Sequence, residues 1–438
     1  MADMAISGPE PALKDLLAAR PAYSLHAQEG LCFESVPLNA IADKYGTPVW
    51  VYGAGSIKAR FKALKTALDS ENLPVRVHYA VKANDHLAIL DLFRTLGAGA
   101  DVVSLGEFQR ARRAGIAAAD VVYSGVGKGA TEIDAVLGAG GGQINVESAE
   151  ELEMISAIAA RMGTTARVAL RMNPDVDAGT HAKITTGLAE NKFGIAAADI
   201  PALYAHAAML PRVTPVGIAL HIGSQILSTE PYRLAYAKAA AMVRTLRSQG
   251  SNVSVLDLGG GLGIGYGDEP GLNLTAFAAV VRQEVGSLGV NLLMEPGRYL
   301  VGPAGLLLST VILQKRSGKR FVVLDAAMND LLRPAMYDSW HGILPVDAAL
   351  FQGVTSPADV VGPVCESADC FAKGRALPDL APGARVALLD AGAYGAVMSS
   401  TYNARPRAAS VLVSGDRFML ITPRQTPENL WQDEILPG

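Results

Sequence analysis

Apolar and polar residues alternate along this chain with two different periods, and the switch between them recurs. Short runs rich in Val, Ile and Leu read as strands, and longer stretches with an apolar residue every three or four positions read as helices. The strands predicted in this way are Val75 to Val81, Ala100 to Ser104, Val121 to Ser124, Gln143 to Glu147, Arg167 to Met172, Val216 to Ile222, Val253 to Leu258 and Asn291 to Glu295. A helical segment lies between each successive pair. Two of these helices open on a capping box, Ser104-x-x-Glu107 and Ser148-x-x-Glu151. Upstream, Thr47 to Tyr52 reads as a strand and Ser56 to Leu68 as a helix with Ile57, Phe61, Leu64 and Leu68 at helical spacing. The residues before about 46 are mixed, with one strand at Leu31 to Val36.

Eight strand–helix alternations predict an α/β fold, a (β/α)8 TIM-type barrel, whose usual size of about 250 residues fits the span 48–300. A doubly wound open sheet is the competing arrangement. Beyond Leu300 the helical pattern largely stops. Leu308 to Arg316, Arg320 to Ala326, Arg385 to Asp390, Ala409 to Val413 and Arg417 to Thr422 read as strands, the last two as a hairpin turning at Ser414-Gly-Asp416. The expected organisation is therefore a barrel over 48–300 and a β-rich domain, barrel- or sandwich-like, made of 301–438 and joined by 1–47.

Composition narrows the function classes. Half of the 438 residues are hydrophobic, enough for two large cores, and the net charge is −4. That balance leaves no electrostatic footprint for nucleic acid or an anionic membrane. Three cysteines without a CxxC pair speak against a disulfide framework and a structural zinc site. The first ten residues lack the basic and apolar regions of a secretion signal. The apolar run from Gly305 to Leu313 is too short to span a bilayer. A soluble cytoplasmic protein, with no nucleic-acid or membrane partner and no metal, is expected.

The candidate chemistry gathers where a barrel would use it, at the C-terminal ends of the strands. In Arg76-Val-His-Tyr-Ala-Val-Lys82-Ala-Asn84, one parity is bulky and apolar while the other leads through Ala80 to Lys82. A lysine at a buried strand end is costly unless it is used. A desolvated amine can form a Schiff base with an aldehyde cofactor or carbonyl substrate; the bland reading is a lysine snorkelling to solvent. Asp101 lies in the second strand, Arg171 in the fifth, and His221 ends the sixth. Asp257-Leu-Gly259-Gly260-Gly261 ends the seventh, and Glu295-Pro296-Gly297-Arg298 ends the eighth. Glycine amides and an arginine at these last two ends suit a phosphate. A lysine, a phosphate cradle, an acid such as Glu295 to keep a pyridine nitrogen protonated, and a flat imidazole at His221 together suit pyridoxal 5′-phosphate (PLP). The rival constellation is Gly125-Val-Gly127-Lys-Gly-Ala130 followed by Glu147, a dinucleotide fingerprint that would imply NAD. It falls on the third strand and leaves Lys82 without a role.

A wider set of motifs then comes into view: His78 to Asn84, Asn173-Pro-Asp-Val-Asp-Ala-Gly-Thr-His181, Lys192-Phe-Gly194, His221-Ile-Gly-Ser224-Gln, Glu295 to Arg298, Met328-Asn-Asp-Leu-Leu-Arg333-Pro-Ala-Met-Tyr337, Cys365-Glu366-Ser and Asp390-Ala-Gly-Ala-Tyr394. By these, the sequence from about Gly46 to Val413 resembles the PLP-dependent decarboxylases with an alanine-racemase-like barrel, and among them the diaminopimelate decarboxylases. The resemblance implies decarboxylation of meso-2,6-diaminopimelate to L-lysine and CO2, the last step of lysine biosynthesis. It implies a homodimer whose active sites are shared, with Cys365, Glu366 and Tyr394 of one chain meeting the barrel of the other. Lys82 would be the Schiff-base lysine, His221 would stack on the cofactor and Glu295 would pair with its pyridine nitrogen. Asp101, Arg171, Ser224, Gly259, Gly260, Gly261, Pro296, Gly297, Arg298 and Tyr394 would complete the cofactor site. Arg298, Arg333, Tyr337, Glu366 and Tyr394 would bind substrate, and Cys365 would donate a proton. Three positions depart from the family pattern: Ala326 and Ala368 replace usual glycines, and Gly265 replaces a common proline. A decarboxylase for another basic amino acid, an NAD-dependent enzyme and a non-catalytic PLP-binding protein are the alternatives.

Overall fold

The computed structural model describes residues 10–178 and 192–437. The chain divides into two compact units, one made of Arg60–Gly263 with Gly271–Tyr299 and one of the remaining residues.

In the first unit all eight strands read from the sequence form and pair in parallel. They are β1 (Val75–Ala80), β2 (Gly99–Val102), β3 (Val121–Tyr123), β4 (Gln143–Val146), β5 (Ala166–Asn173), β6 (Val213–Ala219), β7 (Val255–Asp257) and β8 (Asn291–Met294). Each pairs with the next, and β8 returns to β1, so the sheet closes into a barrel with no free edge. The competing open sheet is excluded by that closure. Helices between the strands cover the outside; Ala149–Met162, for example, buries Leu152, Ile155, Ile158 and Ala159. Leu152, Ile155 and Ile158 each contribute about 1.5–3 kcal/mol by leaving water.

The two capping boxes form with a shift. Ser104 and Ser148 accept the Glu107 and Glu151 amides as expected, at 3.2 Å each. The glutamates, however, reach one residue further back, to the amides of Val103 and Glu147. The caps thus also tether the strand ends that face the barrel mouth.

β1 shows how alternation places the chemistry. His78 and Ala80 face inward, opposite Gly99 and Asp101 of β2. A Cβ on Gly99 would lie 2.5 Å from the His78 ring, so glycine there makes room for a buried imidazole. On the outward side, Tyr79 stacks on Phe93 with ring centroids 4.0 Å apart. Its hydroxyl donates to the Asn84 carbonyl at 2.9 Å. That bond pins the turn in which Lys82 lies: the strand ends at Ala80, and Val81–Ala83 is a single 3-10 turn.

The second unit is β-rich. Val49–Gly53 runs between Gly305–Ser317, to which it is antiparallel, and Ala409–Ser414, to which it is parallel. Gly305–Ser317 also pairs with Lys319–Leu324 and Arg385–Leu388. The hairpin of Ala409–Ser414 with Arg417–Thr422 turns at Gly415, whose φ of +66° is left-handed. Ile343–Pro345, Ser356–Val361 and Cys370–Leu377 are further strands that the sequence pattern does not announce. The buried Arg20 ties the start of the described chain to this unit, donating to Asp390 at 2.9 Å and to the Leu16 carbonyl at 2.9 Å. Among the described residues, no helix is long and apolar enough to cross a membrane.

Candidate active site

At the C-terminal ends of the barrel strands lies a cavity of about 360 Å³, lined by Lys82, Ser124, Asn145, Arg171, Phe193, His221 and Glu295 among others. The turn after β1 brings the Lys82 ammonium to 3.2 Å from Asp101 Oδ2. Asp101 is fully buried, and its other carboxylate oxygen has no hydrogen-bond partner among the described residues. A half-buried amine beside a buried acid is held in place yet remains reachable from the cavity.

His221 follows β6. The Gly260 amide donates to its Nδ1 at 3.4 Å, which leaves the proton of a neutral ring on Nε2. Burial, then the nearby Lys82 and Arg171 cations, hold its pKa well below the usual histidine range. The ring is therefore a flat neutral surface at neutral pH.

Glu295 follows β8 and is 5% exposed. Its Oε1 accepts from Ser124 Oγ at 3.3 Å and Asn145 Nδ2 at 3.2 Å. Burial, then the Asp101 and Asp257 carboxylates, push its pKa well above the ordinary carboxylate range. Such an acid takes and gives up a proton according to what faces it. Asp257, which ends β7, is fully buried and accepts the Gly259 amide at 3.0 Å and Asn145 Nδ2 at 3.1 Å.

The loops after β7 and β8 pack backbone to backbone. A Cβ on Gly259 would lie 2.2 Å from the Leu220 carbonyl, one on Gly260 2.1 Å from the Glu295 carbonyl, and one on Gly261 2.5 Å from the Gly223 carbonyl. Glycine is thus required by close approach, and at Gly259 and Gly261 also by φ of +67° and +92°. From the helix Glu230–Ser248, the Tyr232 hydroxyl donates to the Gly260 carbonyl at 3.3 Å and holds the loop from the helix side. Arg298 is buried and its guanidinium donates to Ser224 Oγ at 3.1 Å and 3.3 Å. Gly297, next to Pro296, packs against Ala80 and Ala83 of the Lys82 turn. So Lys82, Asp101, Arg171, Ser224, His221, the three glycines and Glu295 to Arg298 all belong to one barrel mouth.

The dinucleotide reading fails on particulars. Lys128 turns inward, donating to the Gly125 and Asn145 carbonyls at 2.7 Å and pairing with Glu151 at 2.6 Å. Glu147 is committed to Arg171 at 2.6 Å and to the Gly194 amide at 2.7 Å. The acid is thus not available for a ribose, and Lys128 is turned away from a ligand at the loop. Arg171 in turn lies 5.0 Å from the Phe193 ring centroid. The end of the Asn173–His181 segment, from Gly179 on, lies outside the described residues.

The other predicted site residues belong to the β-rich unit. Arg333 opens a short helix, Arg333–Tyr337, and is fully buried. Its Nη1 lies 2.9 Å from His341 Nε2, while His341 Nδ1 lies 2.7 Å from the Leu389 carbonyl. A guanidinium can only donate, so Nε2 accepts and the proton of His341 sits on Nδ1. The Tyr266 ring covers the guanidinium with its centroid 4.9 Å away. Tyr337 and Tyr394 are half-buried, the latter at a left-handed φ of +56°. Cys365 and Glu366 are exposed. Their loop is stapled by Asp369, a buried acid that sequence reasoning did not single out. Its carboxylate accepts the Val364 and Met328 amides at 2.7 Å each. Asn403 caps the Cys365 amide at 2.9 Å.

Of the three departures, Ala326 and Ala368 are absent from the residues with positive φ, so a Cβ brings no backbone strain there. At Gly265 a Cβ would lie 1.9 Å from the Glu269 carbonyl, so in this chain the turn itself requires glycine.

Ser124, Asn145, Asp257 and Phe193 are cavity or network residues missing from the predicted set. Their signal was present for the first three: polar residues at or just past the ends of otherwise apolar barrel strands.

A protein can use a reachable lysine beside a fixed acid, a neutral flat imidazole, a proton-holding glutamate and a glycine-lined loop in concert on one kind of small molecule, an aromatic aldehyde bearing a phosphate. The orphaned Asp101 oxygen and the side-chain-free loop after β7 fit that group. The fold and site thus define a pyridoxal-phosphate barrel enzyme. Residues 54–302 match the family described as pyridoxal-dependent decarboxylase, pyridoxal binding domain. The chain is 46% identical over 409 residues to a diaminopimelate decarboxylase of Zymomonas mobilis, covering 92% of this chain and 96% of that protein. It is 45% identical over 403 residues to one from Neisseria meningitidis serogroup A, covering 92% and 98%. The crystal structure of the Helicobacter pylori diaminopimelate decarboxylase complexed with L-lysine superimposes with a TM-score of 0.87 at 39% identity, over 90% of this chain and 98% of that one. The chain belongs to the diaminopimelate decarboxylases, within the pyridoxal-dependent decarboxylase family.

Proposed function

We propose that this enzyme decarboxylates meso-2,6-diaminopimelate to L-lysine and CO2, using the barrel mouth of one subunit and the Cys365 loop of another. When bound, the cofactor supplies a carbonyl that captures the substrate amine and an electron-poor ring that accepts the electrons of the broken carbon–carbon bond. The residues of the chain bind, orient and move protons around it. Lys82 holds the cofactor aldehyde, and Asp101 keeps the amine aimed. His221 offers its neutral face to the ring. Glu295, ionised when it faces the ring, accepts the hydrogen bond of the protonated ring nitrogen. The loop Gly259 to Gly261 leaves room for the phosphate, and the Gly261 amide with Arg298 receives it. Cys365 of the partner subunit delivers a proton to the carbon that has lost CO2.

The substrate reading is carried by one observation, the fixing of Arg333. Its guanidinium donates to the His341 ring and lies against the Tyr266 face, which fixes its plane. A planar donor set of that kind suits a carboxylate. Diaminopimelate presents a carboxylate and an ammonium at its far end; ornithine and lysine present only the ammonium. With Glu366 for the ammonium, the residue set has both signs. The exposure of Cys365 and Glu366 supports the dimer, since a proton donor on an open loop needs a site brought to it.

The test is a rate comparison on purified protein loaded with PLP. It converts meso-diaminopimelate to lysine and turns over ornithine, arginine and lysine poorly. Comparable catalytic efficiency on ornithine overturns the substrate reading and leaves the family unchanged.

A further inference from the structure

We propose that Asn145 is the positioning residue that aims Glu295 at the cofactor ring nitrogen and favours its ionised form. This rests on the reading that Glu295 faces the ring nitrogen. The barrel interior holds three buried carboxylates close to one another: Asp101 and Asp257, each 0% exposed, and Glu295, 5% exposed. The charged groups that face Glu295 are those two acids and Lys82. Left to burial and two like charges, a carboxyl in this position favours its protonated form. A protonated Glu295 cannot hold a proton on a pyridine nitrogen, because it would present its own O–H there.

Asn145 opposes that tendency by geometry. Its Nδ2 lies 3.2 Å from Glu295 Oε1, 3.1 Å from Asp257 Oδ2 and 3.1 Å from Ser124 Oγ. One amide nitrogen therefore stands between two acids and offers a hydrogen to each. Donors of this kind favour the ionised form of the acceptor. The orientation of the amide is set from behind. Gln143 Nε2 donates to Asn145 Oδ1 at 2.8 Å. Reversing the amide would turn its oxygen onto two carboxylates and its nitrogen onto another NH2 group, so Gln143 settles which end faces the acids. Strand alternation makes this possible: Gln143 and Asn145 are two apart on β4 and share its inward face. Ser124, just past the neighbouring β3, adds the second donor to Glu295 at 3.3 Å. The device is a relay in which Gln143 orients Asn145, and Asn145 orients Glu295 and favours its ionised form.

The test reads the ring nitrogen directly. Wild-type protein, Asn145→Ala, Asn145→Asp, Gln143→Ala and Glu295→Gln are each loaded with PLP labelled with nitrogen-15 in the ring. The nitrogen chemical shift at fixed neutral pH reports the protonation of that atom. Cofactor affinity and the kcat and KM for meso-diaminopimelate are measured alongside. In wild type the nitrogen is protonated, and in Glu295→Gln it is not. Asn145→Ala and Asn145→Asp move the shift toward the unprotonated value. They weaken cofactor binding about 10- to 100-fold, the scale of a lost hydrogen bond to a charged group. Their kcat falls while KM stays within a few-fold. Gln143→Ala, which leaves Asn145 in place but frees its amide, moves the same signals the same way by less, and it carries the test should the Asn145 variants fail to fold. A ring nitrogen unchanged in folded Asn145 variants but altered in Glu295→Gln overturns the inference alone. A ring nitrogen unprotonated in wild type, or unmoved by Glu295→Gln, overturns the reading of Glu295 on which it rests.

Discussion

The two units of the molecule treat their functional side chains in opposite ways. In the barrel they are buried and cross-linked. Asp101, Asp257, Glu295 and Arg298 are each no more than 5% exposed. Lys82 has its partner on the neighbouring β2, while Asp257 and Glu295 share Asn145 from β4 across the barrel. In the β-rich unit one basic residue, Arg333, is fully buried, while Cys365 and Glu366 stand on an exposed loop held at its base by Asp369. A closed barrel can preorganise a polar cluster because closure turns strands from opposite sides onto one interior. A loop can only be anchored at its ends. The barrel thus fixes its polar cluster by itself, while the loop leaves Cys365 and Glu366 exposed, and the proposed dimer rests on that contrast.

Four substitutions test this contrast, the largest effect first. Lys82→Ala removes the group proposed to hold the cofactor, and activity falls by on the order of 10⁴-fold or more, as when a covalent catalytic group is lost. Circular dichroism shows a folded protein, and borohydride no longer traps PLP on it. A variant that still traps PLP would remove Lys82 from its role. Cys365→Ala lowers kcat about 10²- to 10⁴-fold, the range of a general acid, with cofactor affinity unchanged. Mixing it with Lys82→Ala restores part of the activity through heterodimers that contain one intact site. Absence of restoration after verified subunit exchange counts against shared sites.

Arg333→Ala breaks a buried charged contact worth about 3–5 kcal/mol, so catalytic efficiency on meso-diaminopimelate drops about 10²- to 10³-fold while PLP binding is nearly unchanged. An equal loss of PLP affinity would show that Arg333 supports the fold rather than the substrate.

The smallest effect concerns pH. Burial pushes the pKa of Glu107, the cap of the helix after β2, up to about 7 from the ordinary 4.5. A carboxyl with a raised folded-state pKa contributes stability that is fully present below pH 4.5 and is lost as pH rises through 7. Glu107→Gln should flatten the decline of unfolding free energy between those values by about 1–3 kcal/mol, measured by urea unfolding of the protein without cofactor. An unaltered pH profile would mean that Glu107 is charged throughout.

Much of the barrel was readable along the chain. Strand alternation and helical periodicity are local properties, and all eight strands predicted from them are present. So were Lys82, His221 and Glu295, since a polar residue ending an apolar strand needs no tertiary information to stand out. The strands at Ile343–Pro345, Ser356–Val361 and Cys370–Leu377 were not readable, because short strands in a β-rich unit carry little period of their own.

What the sequence alone determined was which residues could be chemical and on which face of their strand they lie. What only the tertiary structure decided was which of them meet. Val49–Gly53 reads as a strand anywhere, but its place between Gly305–Ser317 and Ala409–Ser414 depends on pairings more than 250 residues apart, beyond the reach of local pattern. Likewise Asn145 is an unremarked polar residue in the sequence. Barrel closure brings β4 across from β7 and β8, and only then does one amide nitrogen lie within hydrogen-bond reach of both Asp257 and Glu295. Charge and hydrogen-bond energies depend on distance and burial, and those exist only once the chain is folded.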